Sequence, residues 1–327
     1  MSVFKLLEEK VKIAPKKIRI VFPEGDDERI LMAANRLAAA QIIEPILLGK
    51  VNELKQSARQ LGLDLSGVTL VEPEPDAEMI TAFIAARGRE LERQQVHEQL
   101  QDANYFATML VKMGKADGMV SGAAHSTAQT VRPALQLIKT AKGMHRVSGS
   151  FIMERGSKKY LFADCAINIE PDSATLAEIA EQSVQTAKMI NLTPKVAFLS
   201  FSTKGSAQGE MVDRVAEAAK LFKQKCPSIP ADGELQFDAA FVPAVAKQKA
   251  PDSPLNGQAN IFIFPELQSG NLAYKIAQRL GNFGAVGPIL QGLAQPVNDL
   301  SRGASSQDVY DLAILTAAQV LEKNGRG

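Results

Sequence analysis

Short β-branched and apolar runs alternate along the chain with longer stretches of helical period. The first four runs cover residues 18–22, 45–48, 68–71 and 118–121. Amphipathic segments lie between them; in 29–39, Ile30, Leu31, Ala34, Leu37 and Ala38 fall on one face. This pattern predicts an α/β architecture with parallel strands and crossover helices. The rhythm changes where runs 147–153 and 160–167 flank the turn-prone Glu154, Arg155, Gly156 and Ser157, a pattern that predicts a β-hairpin. Such a hairpin marks either the edge of a second domain or an antiparallel edge strand of one mixed sheet. A helix follows over 173–190, with Leu176, Ile179, Ala180, Ser183, Ala187 and Ile190 on its buried face. Runs 196–200, 235–241, 261–264 and 286–290 restore the alternation, and a last helix buries Val309, Leu312, Ala313, Thr316 and Val320.

Composition narrows the function classes. The length of 327 residues suits two domains, each able to bury its own core. Two cysteines, Cys165 and Cys226, make no disulfide framework and no CxxC pair, so a reducing cytoplasm is the expected location. Residues 1–17 lack the apolar core of a secretory signal, and no apolar run approaches the ~18 residues of a membrane span. With 37 basic residues against 36 acidic, a net charge of +1 and no Trp, the chain offers no footprint for nucleic acid or an anionic membrane. Small molecules are the expected partners.

Four loops follow predicted strands and lead into helices, where open α/β sheets bind ligands. In the first, small residues 121–124 precede His125, Ser126, Thr127, Thr130 and Arg132. Its N–H groups and hydroxyls suit a phosphate, with Arg132 supplying charge; equally, it reads as a strand-to-helix turn capped by Thr127 or Thr130. The second, 200–206, lacks the GxxxxGK[ST] order of a nucleotide triphosphatase and reads as a polar strand-end loop. The third, 266–275, contains a helix start at Ser269, Gly270 and Asn271, with Tyr274 and Lys275 placed to reach over a ligand. The fourth spans 287–308. Within it, Asn298, Ser301 and Arg302 offer polar groups to an anion or a carbonyl oxygen, and Asp308 is the nearest carboxylate to act as base. Ser305 to Asp308 also has the spacing of a capping box. No cluster of acidic residues, His or Cys has metal-ligand spacing.

Taken together, 117–127, 130–136, 162–166, 236–240 and 296–303 resemble the phosphate acetyltransferases (phosphotransacetylases) of the phosphate acetyl/butyryltransferase family, in family order over nearly the whole chain. The resemblance implies two three-layer α/β domains with mainly parallel sheets, an isocitrate/isopropylmalate dehydrogenase-like architecture and a cleft between domains. One domain would comprise 1–147 with 288–327, the other 148–287. It implies reversible acetyl transfer between acetyl phosphate and coenzyme A, giving acetyl-CoA and inorganic phosphate, with no covalent intermediate. Coenzyme A is then a substrate, no cofactor is tightly bound, no metal is required, and the enzyme is a homodimer. By the same resemblance Asp308 takes the thiol proton, Ser301 hydrogen-bonds the reacting oxygen and Arg302 stabilises developing charge. Arg132 holds phosphate and Arg87 assists at the CoA or phosphate end, although Gly88, Arg89 and Glu90 depart from the more basic family run. Ala304 stands where many relatives have Cys, so that thiol is not needed for the chemistry. The competing readings are a phosphate butyryltransferase or other acyl-CoA:phosphate acyltransferase, and a non-catalytic CoA-binding module.

Overall fold

The apolar run Ile20, Val21, Phe22 becomes strand β1 (Arg19–Phe22), which pairs in parallel with β2 (Glu44–Leu48) on one side and β4 (Gly118–Ser121) on the other. β3 (Thr69–Val71) and β11 (Val297–Asp299) complete a parallel sheet in the order β11-β4-β1-β2-β3. Its central strands are buried on both faces, which is why they read as unbroken apolar runs rather than alternating ones. The C-terminal helix Ser306–Asn324 packs on β4 and against helices Val3–Lys12 and Glu28–Ala39. A core containing Phe83, Phe106, Met109 and Leu137 includes Val21 of β1 and Met119 of β4. Each such fully buried side chain contributes ~1.5–3 kcal/mol.

The second sheet has the order β10-β5-β6-β9-β7-β8. Its strands are β5 (Ser148–Arg155), β6 (Lys158–Ala163), β7 (Val196–Leu199), β8 (Ala231–Leu235), β9 (Ile261–Ile263) and β10 (Gly284–Gln291). β5 and β6 form the predicted hairpin; Arg155 pairs with Lys158 across a two-residue turn in which Gly156 takes φ 62°, a conformation glycine adopts without steric cost. β10 pairs antiparallel with β5, and β6, β9, β7 and β8 pair in parallel. The computed structural model describes residues 3–325, and these fold as two compact units, 3–142 with 293–325, and 143–292.

Several elements differ from the sequence reading. Residues 288–291, expected with the first domain, continue β10; Pro288, having no N–H for the ladder, falls in the register break between Val286 and Ile289. Run 235–241 is not a strand: the strand is the more polar Ala231–Leu235, and Phe237–Phe241 is a short helix. Phe237 and Phe241 stack at 5.2 Å and pack on Phe262, so their aromatic content reports core packing rather than β-structure. β6 ends at Ala163 because the next residue, buried Asp164, gathers the N–H groups of Gly149, Ala166, Ile167 and Asn168 on its carboxylate. β11 lies in a segment read as loop.

Candidate functional site

Chain order runs outward from β1 through β2 and β3 in one direction, and through β4 and β11 in the other. The crevice beyond the carboxyl ends of β1 and β4 is therefore a topological switch point, where open α/β sheets bind ligands. Here the crevice holds a side chain of the protein itself. Glu24, just past β1 and 3% exposed, accepts the N–H groups of Gly122 (3.0 Å) and Ala123 (2.8 Å) on one oxygen and those of Ala124 and His125 (2.8 Å each) on the other. His125 Nδ1 lies 2.7 Å from the same carboxylate. The backbone N–H groups that the sequence offers to a phosphate are engaged here by the Glu24 carboxylate.

The loop after β11 is stitched to this crevice. Leu300 N–H donates to Ser121 C=O at 2.6 Å. The Arg29 guanidinium donates to the carbonyls of Ala123 (2.7 Å), Arg302 (2.8 Å) and Ala304 (3.0 Å), while a two-pronged contact with Asp27 holds it in place. That contact keeps the Asp27 carboxyl below the usual carboxylate range. Gly122 has φ +108°, and a Cβ there would sit 2.4 Å from Asp299 Oδ1 and 2.6 Å from the Leu300 backbone, so the approach of the two loops requires glycine. Beyond the stitch, Ser301 and Arg302 are exposed. Ser305 caps the C-terminal helix. Its N–H and hydroxyl both donate to Asp308 Oδ2 at 2.7 Å, and its Oγ accepts the Asp308 N–H. Asp308 Oδ1 has no partner among the described residues.

The remaining expected site residues divide. Arg132, on the helix Thr127–Pro133, is exposed without a partner among the described residues. That helix widens into a π turn over Ala134–Ile138, and Gln136 on the turn accepts from both the Arg87 guanidinium and the Tyr105 hydroxyl. The helix N-cap is Ser126 rather than Thr127 or Thr130, with Gln129 Oε1 accepting the Ser126 N–H and hydroxyl. Thr127 donates to Asp299 Oδ2 at 2.6 Å. Thr130 is fully buried, and so is Asn298, whose amide ties β11 to Thr316 and Gln319. These hydroxyl and amide groups hold the scaffold in this structure. Tyr274 and Lys275 belong to the other unit; the Tyr274 ring stacks on Phe151 at 3.9 Å, and Lys275 Nζ lies 5.7 Å from that ring's centre. In loop 200–206 the pattern of the first loop recurs, with Glu234 accepting from Gly205 N–H at 2.7 Å and from the Ser202 hydroxyl at 3.2 Å.

The sequence pattern of the phosphate acetyl/butaryl transferase family matches residues 2–317. Phosphate acetyltransferase of Bacillus subtilis (strain 168) is 56% identical over 323 residues, covering 98% of this chain and 99% of that protein. The chain belongs to the phosphate acetyl/butaryl transferase family. A further relative is the phosphate acetyltransferase of Staphylococcus aureus (strain Mu50 / ATCC 700699), 53% identical over 96% of this chain and 98% of its own. The solved phosphotransacetylase of Streptococcus pyogenes superposes with a TM-score of 0.94 at 54% identity, covering 98% of this chain and all of that one. Like its family, the chain is an acyltransferase. Among the described residues no helix is long and apolar enough to cross a membrane.

Three residues packed at this candidate site escape pattern reading: Glu24, Arg29 and Asp299. The available signal was an acidic residue directly after a predicted strand, in Phe22-Pro23-Glu24. Asp299 is fully buried with Oδ1 unpartnered, and burial pushes its carboxyl up to about 6; the Thr127 and Thr130 hydroxyls oppose the shift and the Glu24 charge adds to it. The folded protein thus binds this proton more tightly than the unfolded chain. The contribution favours folding below about pH 3.8 and is lost as pH rises through about 6, a cost of about 3 kcal/mol at neutral pH. Asp299→Asn, which carries no charge, should therefore gain on the parent by up to about 3 kcal/mol between pH 4 and pH 7.5 in urea unfolding. A stability difference independent of pH would contradict this account.

Proposed function

We propose that this acyltransferase moves acetyl reversibly between acetyl phosphate and coenzyme A, releasing acetyl-CoA and inorganic phosphate, by direct attack of the CoA thiolate in a ternary complex. Near full-length kinship to phosphate acetyltransferases carries this reading. Asp308 accepts the thiol proton on Oδ1, its other oxygen being engaged by the cap. Ser301 hydrogen-bonds the carbonyl oxygen and Arg302 stabilises the charge that develops on it. Arg132 binds the phosphoryl group and Arg87 steadies the substrate end of the same site.

Proton transfer from an ordinary thiol (pKa ~8.5) to an ordinary aspartate (~3.9) is uphill by about 6 kcal/mol. One guanidinium ~4 Å from the nascent thiolate offsets about 4 kcal/mol at an effective dielectric of ~20. Arg302 and Arg132 are exposed, with no partner among the described residues to draw them away. Because the Arg132 contact exists before the transition state, Arg132→Ala should raise the KM for acetyl phosphate ~10- to 100-fold while kcat changes less. An unchanged KM would remove Arg132 from the phosphate site.

The enzyme acts as a cytoplasmic homodimer without a tightly bound cofactor. In support of pairing, helix Leu267–Arg279 exposes Leu272 and Ile276, with Leu280 one turn further, as an apolar stripe. The direct assay mixes acetyl phosphate and CoA and follows thioester absorbance. Thioester should form with acetyl phosphate faster than with butyryl phosphate; the reverse order would make the enzyme a phosphate butyryltransferase, and none with any acyl phosphate a CoA-binding module.

A further inference from the structure

Acetyl transfer to a thiol leaves the departing phosphate one proton short. Expelled from an acetyl phosphate dianion without a proton, it would leave as the trianion, a poor leaving group. Asp308 takes a proton from the thiol and is not available to give one at the same moment. The site described so far therefore contains a base and no acid.

We propose that His125 is that acid, donating a proton from Nε2 to the bridging oxygen of acetyl phosphate as the carbon–oxygen bond breaks. The assignment rests on acetyl transfer as the reaction of this site. Four observations carry it. His125 Nδ1 is held at 2.7 Å by Glu24, a carboxylate that is itself fixed by four backbone N–H groups. An imidazole oriented by a carboxylate at one nitrogen has its other nitrogen directed and free for proton exchange. The ring keeps 28% of its surface exposed, and Nε2 has no partner among the described residues. His125 also directly precedes Ser126, the N-cap of the helix that bears Arg132, on the loop that Thr127 and Arg29 tie to the 299–304 segment bearing Ser301 and Arg302. The charged groups of this corner are Glu24 after β1, Asp299 at the end of β11, Arg29 from helix Glu28–Ala39 and its partner Asp27 at that helix's N-cap.

The step balances. The S–H bond breaks and its proton passes to Asp308; sulfur bonds to the acyl carbon; the carbon–oxygen bond breaks with its electron pair on the bridging oxygen. That oxygen takes the Nε2 proton and leaves as hydrogen phosphate. Asp308 then loses its proton to water and His125 regains one from water, so over the cycle one proton leaves the thiol and one joins phosphate. In the opposite direction His125 is the base that accepts the phosphate proton.

His125→Gln keeps an amide near the Nε2 position and cannot transfer a proton. Its kcat for acetyl-CoA formation should fall ~10²- to 10⁴-fold, with the KM for acetyl phosphate within about threefold of the parent. The parent's pH profile should lose activity on the alkaline side, and this limb should vanish in His125→Gln. A role confined to holding the loop would instead lower the melting temperature and raise KM, leaving the profile's shape intact, and would overturn the assignment. If His125→Gln does not fold, His125→Asn, which keeps an N–H for Glu24 and has nothing at Nε2, is read in the same way. Asp308→Asn separates the two claims. If it keeps near-parent turnover, the reaction assigned to this site fails; if it loses turnover while His125→Gln stays within about threefold with an unchanged profile, only the role of His125 fails.

Discussion

Asp308→Asn yields a folded protein whose kcat falls ~10²- to 10⁴-fold, because the base that takes the thiol proton is gone. The substitution preserves the local structure. Asparagine retains an oxygen that can accept the Ser305 N–H and hydroxyl, so the start of helix Ser306–Asn324 survives with a stability change of ~1 kcal/mol or less. Binding of acetyl phosphate, which does not require the carboxylate, should be retained. Steady-state rates by thioester absorbance, with circular dichroism on the same sample, separate catalysis from folding. Turnover near that of the parent in a folded Asp308→Asn protein would leave Asp308 with its capping role alone.

Glu24→Ala should have the largest effect on stability, about 3–5 kcal/mol, from a residue outside any motif. The side chain satisfies the N–H groups of Gly122, Ala123, Ala124 and His125 and orients the His125 ring. Removing it strands the buried N–H groups of Gly122 and Ala123, each costing ~1–3 kcal/mol unless water enters the space, and frees the part-buried ones of Ala124 and His125. Against a total stability of ~5–15 kcal/mol, this is a substantial fraction. A lower urea midpoint at unchanged m-value is the expected signature. Activity should fall with it, since the Gly122–His125 loop and the Ser301–Arg302 loop are stitched together. A change below about 1 kcal/mol would mean that the loop holds its shape without Glu24.

What was legible in the sequence follows from the range of each interaction. β4 was readable to the residue because Gly118–Ser121 is buried on both faces, and the β5–β6 hairpin because its turn is local. The Ser305–Asp308 cap was readable for the same reason: both partners lie within one helical turn. β11 and β8 were not. Asn298 and Asp299, or Asp232 and Glu234, look like loop residues until their partners are known: Asn298 reaches Thr316 and Gln319, and Asp232 pairs with Lys204 and Lys223. Glu24 meets a loop about a hundred residues away, and Arg29 reaches carbonyls more than 270 residues distant. Hydrophobic periodicity records which face of an element is buried, not which distant polar group completes it. The first loop therefore read equally as a phosphate cradle and as a strand-to-helix turn, and the Glu24 carboxylate that takes its N–H groups stayed hidden.

The position of the CoA thiol tests the central claim most directly. In a crystal structure of the CoA complex, the sulfur should lie within about 3.5 Å of the Asp308 carboxylate, beside Ser301 and Arg302 at the carboxyl end of β11. A well-ordered thiol bound away from Asp308, beyond reach of one bridging water, would contradict the assignment of this loop and helix start as the place where the acetyl group changes hands.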